Sequence, residues 1–291
     1  MSPMIMWSCE DRVAPFVDTF RRTATRAGYD LRLLAPDPAG HPAFAEMQRH
    51  YVHMSPNPAL FELASFRRWF EIARRVGPGD RFVLADSDLV VQTPFDQLPN
   101  EIRDFDGLAA SRGAAAGVSE QGINGGFSIW SGRLLHDFCA FLVATYAEGV
   151  DHLAAIYAAE CAISPRASIS DMKLLYLWQQ RERIPFLDTN RLFAATDGSQ
   201  HYIDHNFFMP EALDVAFVTT LGRKSIRFTP QGMRLQTRDG RPVIPASLHL
   251  GGRYKIMAAD LEHRRRGTIA AKSAYILAGR TARRLIALSR P

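Results

Sequence analysis

The chain has 291 residues, 47% hydrophobic and 22% charged, with a net charge of +5 and three cysteines. That length can bury a full core, as one large domain or two small ones, and the composition is that of an ordinary globular protein. The apolar stretches fall short of the ~20 residues a membrane helix needs, and Cys9, Cys139 and Cys161 are too few and scattered for a disulfide framework or a zinc site.

The segment "MIMWSC" reads as a first strand. What precedes and follows it, "MSPMIMWSCEDR", lacks a basic region leading into an apolar one, so it does not read as a secretory leader, and a reducing cytoplasm is the expected setting. Residues 12–27 carry Val13, Phe16, Val17 and Phe20 at helical spacing, and Gly28 stops the helix. "DLRLLAP" is a second strand. Residues 37–58, rich in proline and histidine, read as loop with room for a short helix. Residues 59–76 read as a helix with Leu60, Leu63, Phe66, Phe70 and Ile72 facing inward, ended by Gly77, Pro78 and Gly79. "RFVLAD" follows as a continuously buried strand, the pattern of a parallel sheet covered on both faces. This alternation predicts an α/β domain. Helices are expected at 133–147 and 171–182, and short strands around an Asp-Gly turn in "SIRFTPQGMRLQTRDGRPVIPASLHL". No repeat, low-complexity tract or internal linker interrupts residues 1–261. Residues 262–291 form a distinct tail in which Arg264, Arg265, Arg266, Lys272, Arg280, Arg283, Arg284 and Arg290 alternate with Ile269, Ala270, Tyr275, Ile276, Leu277, Leu285, Ile286 and Leu288. Such a basic amphipathic segment suits an anionic membrane surface, and equally a solvated helix docked on the body; nothing resembles a base-reading module for nucleic acid.

The run "RFVLADSDLV" drives a buried strand into two like charges. In an open α/β sheet, ligands sit at the carboxyl ends of the strands. Side chains two apart on an extended chain point the same way, so Asp86 and Asp88 would project together and repel. A hard divalent cation removes the repulsion and commonly bridges carboxylates to phosphate oxygens, which makes a metal-diphosphate site the physical reading. A strand ending in a polar turn, with Asp88 as a cap, is the plainer alternative. Downstream, "SLHLGGRYK" spaces His249, Gly252 and Lys255 three apart. An imidazole can complete a metal shell and tilts the choice from Mg²⁺ toward Mn²⁺; the glycines admit close backbone approach; Lys255 can hold a phosphate. Here the alternative is a surface loop with an incidental histidine.

Four stretches, in order, resemble the glycosyltransferases of the GT-A fold, most closely the retaining family of glycogenin and the bacterial lipopolysaccharide glucosyl- and galactosyltransferases. They are "FRRW" (66–69), "LADSDLVV" (84–91) with "TPFDQL" after it, "INGGFSIW" (123–130) and "HLGGRYK" (249–255). Two departures are visible: Ile256 and Met257 stand where the family has Pro-Trp, and "SISDMKLLYLW" offers only Asp171 where the family often has Asp-Gln-Asp. The resemblance implies a nucleotide-diphospho-sugar transferase fold, a Rossmann-like, mostly parallel central sheet with flanking helices. It implies Mn²⁺ (or Mg²⁺) on Asp86, Asp88 and His249, and a nucleotide-diphosphate sugar donor, by family habit UDP-linked. Ser8, Arg68, Asp86, Ser87, Gly125, Gly252 and Lys255 would bind the donor, with Asp171 and Asn124 at the reacting sugar. The acceptor would be a glycan or a lipid-linked one of bacterial envelope polysaccharide synthesis, and the enzyme cytoplasmic or peripheral on the inner membrane. Plainer readings stand beside these: Arg68 in a surface ion pair, Asn124 and Gly125 in a turn, Asp171 as a helix cap after Ser170.

Trp69, Trp130 and Trp178 sit in apolar patterns and read as core. His201 and His205 in "HYIDHNFF" imitate a metal pair, but the segment lacks helical periodicity and reads as loop, with an acceptor-loop role open. Two other functions fit parts of the chain: an Asp-x-Asp phosphohydrolase of the haloacid dehalogenase type, whose Asp pair belongs on a first strand, and a non-catalytic nucleotide-sugar-binding or membrane-associated domain.

Overall fold

The computed structural model of the protein describes residues 2–10, 13–37, 40–113 and 122–288, with side chains as far as 279. In chain order the first elements are β1 (Ile5–Cys9), α1 (Pro15–Arg26), β2 (Asp30–Leu34), α2 (Pro42–His50), α3 (Ala59–Ala73), β3 (Arg81–Ala85), β4 (Leu89–Val91) and α4 (Asn100–Arg103). Next come β5 (Leu108–Arg112), β6 (Ile123–Ser131), α5 (Gly132–Glu148), α6 (Val150–Cys161), α7 (Asp171–Arg181), β7 (Phe186–Asp188), β8 (Phe193–Ala194) and β9 (Gln200–Ile203). The last are β10 (Thr219–Thr220), β11 (Arg223–Lys224), β12 (Ile226–Thr229), β13 (Gly232–Gln236), β14 (Pro242–His249), α8 (Ala258–Glu262) and α9 (Arg266–Leu288). They divide into two compact units, one of residues 1–11, 30–86 and 104–189, the other of 12–29, 87–103 and 190–291.

The first unit is a helix-flanked sheet in the order β2-β1-β3-β6-β5-β7. β1 runs parallel to β2 and β3, β6 antiparallel to β3 and β5, and β7 parallel to β5, so β6 alone opposes five strands of common direction. This is the mostly parallel sheet that the sequence predicts. β3 lies between β1 and β6, which is why Phe82, Val83, Leu84 and Ala85 are all buried. Trp69, Trp130 and Trp178 are core, as expected: Trp130 packs on both other indoles, and all three pack on Phe138.

The helix expected at 59–76 is α3, and Phe66, Phe70 and Ile72 are buried as expected, together with Glu62, Trp69, Glu71 and Ala73. Leu60, expected inward, is 82% exposed. The register is set by Glu62, whose Oε1 accepts hydrogen bonds from Ser55 Oγ and Asn57 Nδ2, so a polar cluster occupies the inward place of the first turn. Within the region read as loop, α2 forms because His41 Nδ1 accepts the Ala43 N–H at its start and Phe44 and Met47 are buried.

In the second unit, β12 and β13 form a hairpin and β13 turns into β14 at Asp239-Gly240, where Gly240 has φ +90°. β14 pairs parallel with β9 and antiparallel with β4, in the register Ser247–Val91, Leu248–Val90, His249–Leu89. The helix predicted at 12–27 begins at Pro15, a residue suited to a first helical turn, and Val13 is left outside it and fully exposed. Its Val17 and Phe20 are buried. Residues 200–203, read as loop, are the buried strand β9, too short for a periodicity of its own. Tyr202, Phe207, Leu248, Tyr254, Leu261, Ile269 and Ile276 share one core. The last two, with buried Ser273, make a stripe at i, i+4, i+7 that docks α9 on this core across the 261/262 boundary. The side chains of Arg280, Arg283, Arg284, Leu285, Ile286 and Leu288, and residue Arg290, lie outside the described part. No single helix among the described residues is long and apolar enough to cross a membrane; α5 and α6 together would be, but they are bent by 89°.

Candidate functional site

In the first unit the strand β3 ends at Asp86, whose N–H donates to Gly126 O at 2.7 Å. Arg68, in the C-terminal half of α3, is shared between two carboxylates: Nη1 donates to Asp86 Oδ1, and Nη2 to Asp171 Oδ2 at 2.8 Å. Trp69 Nε1–H donates to the same Asp171 oxygen at 3.1 Å, and the Met172 N–H to Oδ1 at 2.9 Å. Burial first, and the nearby charge of Asp86, raise the Asp171 carboxyl above its ordinary range, and Arg68 and Trp69 pull it back without cancelling the rise. Burial likewise disfavours the charged guanidinium, but Asp86 and Asp171 outweigh it and raise the Arg68 pKa. The helix cap at α7 is Ser170, whose Oγ accepts the Lys173 N–H; Asp171 is the first residue inside the helix and is turned to Arg68.

Gly125 is required by packing. A Cβ there would meet Trp69 Cη2 at 2.7 Å, so the glycine lets the indole reach Asp171. Asn124 Oδ1 accepts the Gly126 N–H at 2.7 Å, a turn of the kind asparagine makes with its own backbone two residues on. Ser8, near the end of β1, is 1% exposed, and its hydroxyl has no hydrogen-bond partner among the described residues.

In the second unit Asp88 is 6% exposed and gathers the late motif around itself. His249 Nε2 lies 3.1 Å from Oδ1, and Lys255 Nζ 3.1 Å from Oδ2. The pairing of β14 with β4 continues as Leu250 N–H to Asp88 O at 3.0 Å, which brings position 249 to position 88. Burial opposes ionisation of Asp88, but the hydrogen bond and charge of His249 and the charge of Lys255 prevail and hold its carboxyl well below the usual range. Lys255 also lies over the Phe16 ring, 4.9 Å from its centre. Gly252, at φ +62°, opens the turn that carries Lys255. Ser87, between the two aspartates, is buried.

The sequence-predicted residues therefore gather as Arg68, Asp86, Asp171 and Gly125 in the one unit and Asp88, His249, Gly252 and Lys255 in the other, with Asp86 and Asp88 joined through Ser87. Sequence reasoning took Trp69 as core and gave its N–H no role, and it gave none to the buried pair Asp204 and Lys224, of which Asp204 accepts the His249 N–H. Asp204 could have been noticed only as a carboxylate within a buried apolar segment. The rings of His201 and His205 have separate neighbours, Ser199 Oγ and Tyr202 Oη, and make no metal pair with each other.

No family model matches the chain, and no curated protein does. Among solved structures it is similar to mouse xyloside xylosyltransferase 1 in its apo form, at 11% identity over 64% of this chain and 84% of that one, with a TM-score of 0.40. It is also similar to a glycosyltransferase involved in the glycosylation of the major capsid of PBCV-1 (13% identity, 50% and 68% covered, TM-score 0.30). A third is the apo-form glycosyltransferase GlyE of Streptococcus pneumoniae TIGR4 (14% identity, 72% and 70% covered, TM-score 0.31). All three TM-scores are below 0.5, so the chemistry of the site is taken from its own residues.

Proposed function

We propose that this chain is a metal-dependent glycosyltransferase that moves a hexose from a nucleoside-diphosphate sugar, UDP-linked by the family resemblance, to a glycan or lipid-linked acceptor in envelope polysaccharide synthesis. The observation that supports it most is the convergence of His249 and Lys255 on the two oxygens of one buried carboxylate, Asp88.

The donor set fits a divalent cation. Asp86, Asp88 and His249 offer two carboxylates and an imidazole. His249 Nδ1 lies 2.7 Å from the His205 carbonyl, which can only accept, so Nδ1 carries the proton and Nε2 is the nitrogen turned to Asp88. A carboxylate cannot donate either. The place between Nε2 and Asp88 is thus one for a proton or a metal, and imidazole with carboxylates favours Mn²⁺ over Mg²⁺. A bound cation supplies charge neutralisation for the diphosphate leaving group. Lys255, 27% exposed and held by Asp88, is available to pair with a phosphate oxygen. Arg68 orients Asp86 and Asp171 together, and Asp171, through its Arg68 and Trp69 partners, is assigned to the donor sugar with Asn124 beside it. Ser8, with its unpartnered buried hydroxyl, is assigned to the donor nucleotide.

A panel of nucleotide sugars with Mn²⁺, read as released nucleoside diphosphate with and without chelator, tests the reading. Release that needs Mn²⁺ supports it. Donor binding without turnover for any acceptor would favour a binding module, and release of inorganic phosphate from phosphomonoesters a phosphohydrolase.

A further inference from the structure

His249 is held by more than its strand. Its backbone N–H donates to Asp204 Oδ2 at 3.0 Å, its carbonyl accepts the Phe207 N–H at 3.0 Å, and Nδ1–H donates to His205 O. All three contacts come from residues 204–207. That segment is fixed in turn by Lys224, whose Nζ donates to Asp204 Oδ1 and to Asn206 O, each at 2.7 Å, and whose N–H donates to Phe207 O at 2.9 Å. The Asp204 and Lys224 side chains are both 0% exposed. Lys224 Nζ also lies over the rings of Tyr202 and Phe217, 5.3 and 5.2 Å from their centres.

A sealed ion pair of this kind is a poor source of stability, because desolvation offsets the attraction and apolar residues of similar volume do as well. What apolar residues could not do is accept the His249 N–H. We propose that Asp204, held by Lys224, is a positioning residue that fixes the His249 backbone and, with the His205 carbonyl, the Nδ1–H tautomer, so that Nε2 is presented as a metal ligand. The proposal rests on the metal reading above and adds to it the residues on which the imidazole depends. Loss of such outer partners commonly weakens metal affinity by about 10–100-fold.

Two measurements on the full chain test it. The first is Mn²⁺ titration followed by electron paramagnetic resonance of the free ion, on variants verified as folded by circular dichroism. Asp204→Leu with Lys224→Met removes the pair without leaving a buried charge, and should raise the Mn²⁺ dissociation constant about tenfold or more. Asp204→Asn with Lys224→Met keeps an acceptor for the His249 N–H and should recover most of that loss. Glu262→Gln, another buried carboxylate of the same unit, paired with Arg22 and Arg26, should leave it within about twofold. A folded Leu/Met double variant with wild-type Mn²⁺ affinity would overturn the proposal. The second needs neither metal nor variant: the ¹⁵N spectrum of His249 in the metal-free wild type should show the neutral ring protonated at Nδ1, and protonation at Nε2 instead would overturn it. Failure of the wild type to bind Mn²⁺ would sink the metal reading itself, while the Nδ1 signature would still support the positioning.

Discussion

Asp171 and Asp204 are both nearly inaccessible, at 5% and 1% exposure, and both face a cation, but the two arrangements differ in what the cation can do. Arg68 is 19% exposed and divides its guanidinium between Asp171 and Asp86. The Lys224 side chain is sealed, and among the described residues it bonds to Asp204 and the Asn206 carbonyl and lies over aromatic rings. A shared cation with access to water can exchange one partner for a ligand at modest cost. A sealed cation cannot exchange, and its lasting effect is to hold backbone in place. The first arrangement leaves a cation that can be re-partnered, and the second fixes the backbone at His249.

The largest expected effect is at Asp88, in the unit of the sealed pair. Asp88→Ala removes the carboxylate that gathers His249 and Lys255, and is expected to lower Mn²⁺-dependent nucleoside diphosphate release by about a thousandfold, since metal-assisted neutralisation contributes several kcal/mol. The fold should persist in circular dichroism, because the partners it leaves are partly exposed. Equal donor binding by calorimetry with and without chelator would remove the metal from the account.

The sealed and the shared cation should separate in urea unfolding. Lys224→Met strands Asp204 in the interior and is expected to cost about 3–5 kcal/mol. Arg68→Met leaves Asp86, which water reaches in part, and the buried Asp171, which keeps the Trp69 and Met172 N–H donors, and should cost about 1–3 kcal/mol while abolishing donor turnover. Equal destabilisation would break the comparison. Smaller again is Gly125→Ala, where the new Cβ presses on Trp69; overpacking of about 1–2 kcal/mol is expected, with partial recovery in Gly125→Ala, Trp69→Phe as the ring shrinks. Recovery of stability without recovery of turnover would show that the indole N–H to Asp171 matters apart from packing.

The smallest effect concerns α9. Its buried stripe leaves Tyr275 74% and Leu277 38% exposed, one on each flank of the stripe. We propose association of α9 with anionic vesicles, weakened by salt, each basic residue near the surface contributing about 1 kcal/mol. Tyr275→Ser with Leu277→Ser should reduce co-sedimentation a fewfold and spare nucleoside diphosphate release. Unchanged co-sedimentation would count against a membrane role.

Sequence alone determined the alternation of β1, α1, β2, α3 and β3, the core indoles, the Asp-Gly turn before β14, and the two motifs that meet at Asp88. Periodicity and side-chain chemistry are local properties, and these features depend on little else. It misjudged Leu60, because Glu62 found buried partners in Ser55 and Asn57 and set the register of α3. It read β9 as loop and found no role for Asp204 between His201 and His205, because a strand of four residues carries too little pattern to recognise. Only the tertiary structure decided that Gly125 makes room for Trp69, that Ser170 caps α7 while Asp171 turns to Arg68, and that the stripe Ile269, Ser273 and Ile276 docks α9 on the core. Each of those outcomes depends on which distant residue occupies a given few ångströms, a quantity that chain order does not contain until β14 pairs with β4 and the buried carboxylates find their cations.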